Sequence, residues 1–161
     1  MKKIAAALLF VAMGVSAFAC RCGDRPAILD ATAKADAIFV GRVTKLSIAY
    51  RKFDDVDGYR EVIECEFRVT VGLKGVEAKE EQKMVVTSSA GPACGYPFRI
   101  GDEYLVYARR HAQELETDIC TRTRPRVIVD EKQDFSDISK IKADDALQTE
   151  VPLIREALER K

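Results

Sequence analysis

One histidine, His111, serves the whole chain. Its solitude excludes a His-rich metal site and any catalytic set that needs a second imidazole. Gly-x-Ser-x-Gly, His-Glu-x-x-His and a phosphate-binding glycine loop are all missing. The pairs Asp54-Asp55 and Asp144-Asp145 are adjacent in sequence and read as exposed carboxylates rather than an acid/base couple. The expectation is a protein that is not an enzyme and that uses no cofactor. An excess of either charge is also lacking, with 26 Lys and Arg against 26 Asp and Glu. That balance argues against nucleic acid as the main partner, since such modules carry a basic surplus. Past residue 19 no apolar run reaches the about 20 residues of a membrane-spanning helix. Internal repeats, low-complexity tracts and linkers are absent, and the charged stretch 77–83 reads as a solvated loop. A single domain over residues 20–161 is expected.

What is present begins with a leader. Lys2 and Lys3 precede an uncharged apolar run, residues 4–15, and Ala17-Phe18-Ala19 forms a small-x-small cleavage site. Residues 1–19 therefore read as a signal peptide of the bacterial export type, and the protein as periplasmic or secreted. Without the leader's two lysines, 24 basic residues face 26 acidic ones, a net charge near −2. A cut after Ala19 makes Cys20 the first residue of the mature chain. Cleavage after Ala17, at Val15-Ser16-Ala17, is a second reading and would leave Phe18-Ala19 ahead of it. A third is lipidation of Cys20 and a lipid-anchored envelope protein, although Ala17 and Phe18 match a lipobox poorly.

Five cysteines follow the leader: Cys20, Cys22, Cys65, Cys94 and Cys120. In an oxidising compartment they suggest disulfides, with one thiol left over. Over residues 63–71 the odd positions are apolar and the even ones polar, the mark of a half-buried strand. Cys65 is in phase with Phe67 and Val69, so it is expected to be a buried free thiol.

Strand signals dominate the rest: residues 37–50, 59–72, 83–88, 103–109 and 118–129, with turn chemistry at 54–58. A short helix is expected at 27–35. Five strands with short connections suggest a small closed barrel over about residues 20–130, an arrangement without exposed edges. Toward the C-terminus the period changes. Leu147, Val151, Ile154 and Leu158 form one stripe of an amphipathic helix, expected over about 137–161. Pro152 inside the stripe requires the helix to start near Thr149 or to kink. Arg122, Arg124 and Arg126 alternate with Thr121, Thr123 and Pro125, a basic strand face near Arg109, Arg110 and His111. That face is a candidate for an anionic glycan; the alternative is a solvated face balanced by nearby acids.

Cys20-Arg21-Cys22, Phe39-Val40-Gly41, Leu73-Lys74-Gly75, Cys94-Gly95-Tyr96, Gly101-Asp102-Glu103-Tyr104-Leu105-Val106 and Cys120 follow one another over roughly residues 20–125. Taken in that order they resemble the netrin-like module, above all the N-terminal domain of the tissue inhibitors of metalloproteinases. The resemblance implies an OB-like five-stranded closed barrel with a short N-terminal helix and a C-terminal amphipathic helix. It also implies the pairings Cys20–Cys94 and Cys22–Cys120. These would set Cys20, Arg21 and Cys22 against Pro92, Ala93, Cys94 and Gly95 in one ridge.

In the family such a ridge enters the cleft of a zinc metalloprotease. The amine and carbonyl oxygen of the first cysteine, here Cys20, would chelate the catalytic zinc at its open position. An α-amine has an ordinary pKa of about 7.7–8.0, so its proton is lost at little cost near neutrality. Where family inhibitors carry a small hydroxylated residue this chain has Arg21, which points to a target pocket that is acidic or open. The other class of function is a non-inhibitory envelope or extracellular interaction module on the same scaffold.

Overall fold

The computed structural model describes residues 22–52, 58–77, 83–88, 94–111, 113–129 and 143–160. The leader, Cys20, Arg21, Pro92, Ala93 and most of the 54–58 turn lie outside the described residues. In chain order the elements are α1 (Ile28–Lys34), β1 (Ala37–Lys52), β2 (Tyr59–Lys74), β3 (Lys83–Ser88), β4 (Glu103–His111) and β5 (Glu114–Glu116). They continue with β6 (Arg124–Pro125), β7 (Val127–Val129), β8 (Ala143–Asp145), α2 (Ala146–Thr149) and α3 (Val151–Glu159).

The protein is mainly β. Six strands form one mixed sheet in the order β1-β2-β3-β5-β4-β6, and β1 also pairs with β4. Hydrogen-bonded pairing therefore runs around a ring of β1, β2, β3, β5 and β4. β1 makes this geometry possible. Its register against β2 shifts at Ile38/Phe39, Val40/Gly41 and Val43/Lys45, and each irregularity bends the strand and adds twist. Its first half, Ala37 to Arg42, can then lie against β4 on one side while its whole length faces β2 on the other. The link between β3 and β5 is short and parallel, through Val86 and Glu116.

Strand parity divides the apolar residues between two cores. Ala37, Phe39, Val43, Cys65, Phe67, Val69, Val85, Tyr104, Val106, Ala108 and Leu115 fill the interior of the ring. Phe39, Phe67, Phe98 and Tyr104 meet there edge to face, with centroids 4.9–5.4 Å apart. The alternate residues Ile38, Val40, Leu105 and Tyr107 point the other way and pack against Ala31 and Ala35 of the α1 segment, Ala146, Val151 and Ile154. Cys65 is fully buried and free, in phase with Phe67.

The C-terminal helix, expected over about 137–161, carries its whole stripe but is helical only from Ala146 among the described residues. Residues 143–145 are a strand paired with β7, and the helical part is α2 followed by α3, with Pro152 in the first turn of α3. There the missing proline amide removes no intrahelical bond. The Asp145 side chain caps α2 by accepting from the Leu147 amide at 2.9 Å.

The expected strand over 118–129 is also corrected. The Asp118 carboxylate accepts from the amides of Cys120 and Thr121, each at 2.8 Å, and this local bonding turns the chain out of the ladder. Thr117, Thr121 and Thr123 then satisfy one another through buried hydroxyls 2.8–3.0 Å apart. Only Arg124–Pro125 and Val127–Val129 remain as short strands. β5, at three residues, is too short for a periodic pattern to announce it.

Candidate functional site

Three remote segments meet at Cys22. A disulfide joins Cys22 to Cys120, 98 positions apart in sequence, with their Cα atoms 5.1 Å apart. In the chain-entropy picture a loop of that length stabilises by about 5 kcal/mol. The Asp118 turn presents Cys120. The Cys94 carbonyl accepts from the Ile119 amide at 2.9 Å, and Gly95 bridges to Asp118. Cys94 is itself disulfide-bonded; the Cys20 half of the expected Cys20–Cys94 bridge lies outside the described residues.

Gly95 has a steric reason to be glycine. A Cβ there would sit 1.8 Å from the Ser88 carbonyl oxygen, far inside van der Waals contact. The next residue anchors the segment. The Tyr96 amide donates to Thr87 Oγ1 at 2.7 Å, and its ring packs 4.6 Å from Phe98 and 5.8 Å from Tyr104. Burial, aided by Tyr104, pushes the Tyr96 phenol up to about 12, so it stays neutral. Of the expected ridge, Cys22, Cys94 and Gly95 thus meet around the Cys120 turn, and Cys20, Arg21, Pro92 and Ala93 fall outside the described residues.

Just after Cys22 the chain is held by charge. Arg122 donates through Nη1 to the Pro26 carbonyl at 2.6 Å and through Nε and Nη2 to Glu150 at 2.9 and 3.2 Å. Arg124 Nη1 reaches the same carboxylate at 2.9 Å, and the Tyr107 hydroxyl donates to it at 3.4 Å. Arg25 stands 3.8 Å away; burial lowers its pKa, and Glu150 opposes that fall. Burial also works to lower Arg124, but its bonds to Asp144 and Glu150 outweigh this and raise it. The Tyr107 phenol is raised, first by burial and then by Glu150.

The basic face expected from Arg122, Arg124 and Arg126 is accordingly not a free one. Arg124 is 4% exposed, with Asp144 at 2.9 Å besides Glu150. Arg126 pairs with Glu103 at 2.6 Å and Asp145 at 3.3 Å. The acids come from β4, β8 and the residue before α3, elements that the alternation of Arg and Thr could not foretell. Glu150 was invisible as a functional residue for the same reason. The Asp118 turn did carry a signal, since Asp followed three residues later by Thr is a local side-chain-to-backbone pattern.

Among the described residues, no group of three or more His, Cys, Asp and Glu is placed to hold a metal ion, and no helix is long and apolar enough to cross a membrane. A scan against protein-family models finds no match to this chain, and neither does a search of curated proteins.

Proposed function

We propose that this is an exported netrin-like protein whose strand ring is an OB-like closed barrel, and that it binds a zinc metalloprotease through the ridge built around its first cysteines. The observation that carries the reading is the meeting of Cys22, Cys120 and the Cys94-Gly95 segment. Covalent and backbone bonds there hold Cys22, two residues from the proposed start of the mature chain, on the scaffold. Fixing a binding segment beforehand removes much of the ordering cost of association. The amine and carbonyl of Cys20 supply the two zinc ligands, the zinc belonging to the target enzyme. Arg21 enters the adjoining pocket and selects a target whose pocket is acidic or open to water.

The test is a mature protein beginning at Cys20, compared with one carrying a single extra alanine before it, against a panel of zinc metalloproteases. Inhibition by the first and none by the second is expected. Equal inhibition by both forms would sink chelation by the amine. A second variant, Arg21→Thr, is expected to shift preference toward proteases with apolar pockets.

A further inference from the structure

β1 has a neighbour on both sides for only part of its length. β4 pairs with Ala37 to Arg42, and the Val43 amide and carbonyl bond to Asp102 and Gly101, both at 2.9 Å. Beyond that point residues 44–52 face β2 on one side, and among the described residues no strand lies on the other. Alternate residues of this run therefore aim backbone N–H and C=O groups out of the sheet, with no strand to receive them.

Proteins guard long edges with proline, bulges and charged side chains. Residues 44–52 contain no proline. The register shifts of β1 all lie at or before Lys45, and from Lys45 to Lys52 it matches β2 residue for residue. Two of the run's three cations are paired within their own sheet, Lys45 with Glu66 at 2.9 Å and Arg51 with Glu64, and with Glu114 at 2.8 Å. One face of the run is apolar. Leu46, Ile48 and Tyr50 share it with Ile63 of β2 by alternation and register. Leu46 and Ile63 pack against the inner core, whereas Ile48 and Tyr50 are 68% and 63% exposed. The Tyr50 hydroxyl donates to Glu61 at 3.1 Å, so covering its ring buries no unpaired hydroxyl.

We infer that this edge pairs with the same edge of a second copy of the chain, antiparallel about a two-fold axis at Ala49, joining the two β1–β2 hairpins into one sheet. The register sets Ile48 of each copy opposite Tyr50 of the other, Ser47 opposite Arg51 and Leu46 opposite Lys52. An aromatic beside a β-branched residue is a favourable cross-strand pair, and the Lys52 stem can lie along Leu46. Centring the pair on Ile48 instead would set Lys45 opposite Arg51, two like charges. A contact of one patch with itself closes after two copies. It uses none of the residues around Cys22 and is independent of the protease reading.

The experiment is the light-scattering mass of the mature, disulfide-bonded protein over a concentration series. The mass should rise with concentration from one chain to two and stop there. Ile48→Lys should raise the dimer dissociation constant about tenfold or more and leave the thermal midpoint of the dilute protein unchanged, since the side chain is exposed. Tyr59→Lys is the control. Tyr59 is 72% exposed on the same sheet face but belongs to β2, away from the edge, so the dimer should survive its replacement. Ala49→Cys should join two copies by a disulfide under mild oxidation, because pairing centred on Ala49 sets the new thiols opposite each other. A protein that stays monomeric at every concentration would leave the edge to a strand of another protein and overturn the assignment. So would a dimer indifferent to Ile48→Lys, one that Ala49→Cys does not cross-link, or one lost equally with Tyr59→Lys, the mark of hairpins stacked face to face.

Discussion

Arg122 grips Glu150 at two points, Nε to Oε2 at 2.9 Å and Nη2 to Oε1 at 3.2 Å, and so ties the turn that carries Cys120 to the start of α3. The same carboxylate receives Arg124 from β6 and the Tyr107 hydroxyl from β4, while Arg122 holds the Pro26 carbonyl. The β4 residue Tyr107 and the 122–124 segment therefore converge on one side chain that is only 4% exposed, and Arg122 links the Pro26 segment to it at one remove.

Removing one partner from such a group leaves the others buried without compensation. Glu150→Ala should cost about 3–5 kcal/mol of unfolding free energy. Glu150→Gln, which keeps the shape and one acceptor oxygen, should cost less. Urea unfolding of the three proteins measures the difference. A loss below about 1 kcal/mol for the alanine variant would mean that the arginines find water or other acids, and that the carboxylate is not a junction of the fold.

Cys65 illustrates burial acting on chemistry. It lies inside the ring between Phe67 and Val85, and burial pushes its thiol up to about 12. A thiol held there is neutral and unreactive near neutrality. Alkylation of Cys65 by iodoacetamide at pH 8, mapped by peptide mass, should be slow in the folded protein and fast in denaturant. The raised value also sets a pH dependence. Its contribution is fully present below the unfolded thiol value of about 8.5 and declines as pH rises toward the folded value. Cys65→Ala should flatten that alkaline decline.

The strands that line the ring were readable because their alternation survives in the sequence. Residues 63–69 place Cys65, Phe67 and Val69 on one face, and the fold does the same. The stripe Leu147, Val151, Ile154 and Leu158 likewise packs against the outer core. The segment after Asp118 was not readable as drawn, since alternating Thr and Arg looks like a strand whether or not it pairs. Its true partners are side chains: Asp118 for the backbone, the Thr117–Thr121–Thr123 hydroxyls for one another, and Glu150 for the arginines. Such partnerships depend on which distant acid arrives, and no local period records that.

Gly95 tests how tightly the Cys94 segment is seated. An added Cβ would collide with backbone, the Ser88 carbonyl oxygen at 1.8 Å, rather than with a side chain able to swing away. Gly95→Ala should therefore separate the segment from β3 and weaken the bridge to Asp118, with a loss of about 2 kcal/mol or more. Gly23→Ala is the control, because nothing lies within 4 Å of the Cβ it would add; its change should stay within about 0.5 kcal/mol. Thermal or urea unfolding of both variants makes the comparison. Equal stability would show that β3 and the Cys94 segment move apart freely.

Acid should act through Asp144. Its carboxylate accepts from Arg124, and from Thr149 Oγ1 at 2.9 Å, and these bonds hold its pKa below the ordinary carboxylate range, Arg124 contributing first. For a depressed carboxyl the stabilisation is present above the unfolded value of about 3.9 and is lost as pH falls through the folded one. The side chain is 49% exposed, so solvent screens the pair, and the effect should shrink further in high salt. Urea midpoints measured from pH 5 down to pH 2 should fall less steeply for Asp144→Asn than for the natural protein, and the two curves should converge at the acid end. Parallel curves across that window would mean that Arg124 is held by Glu150 alone, with Asp144 adding nothing to the fold.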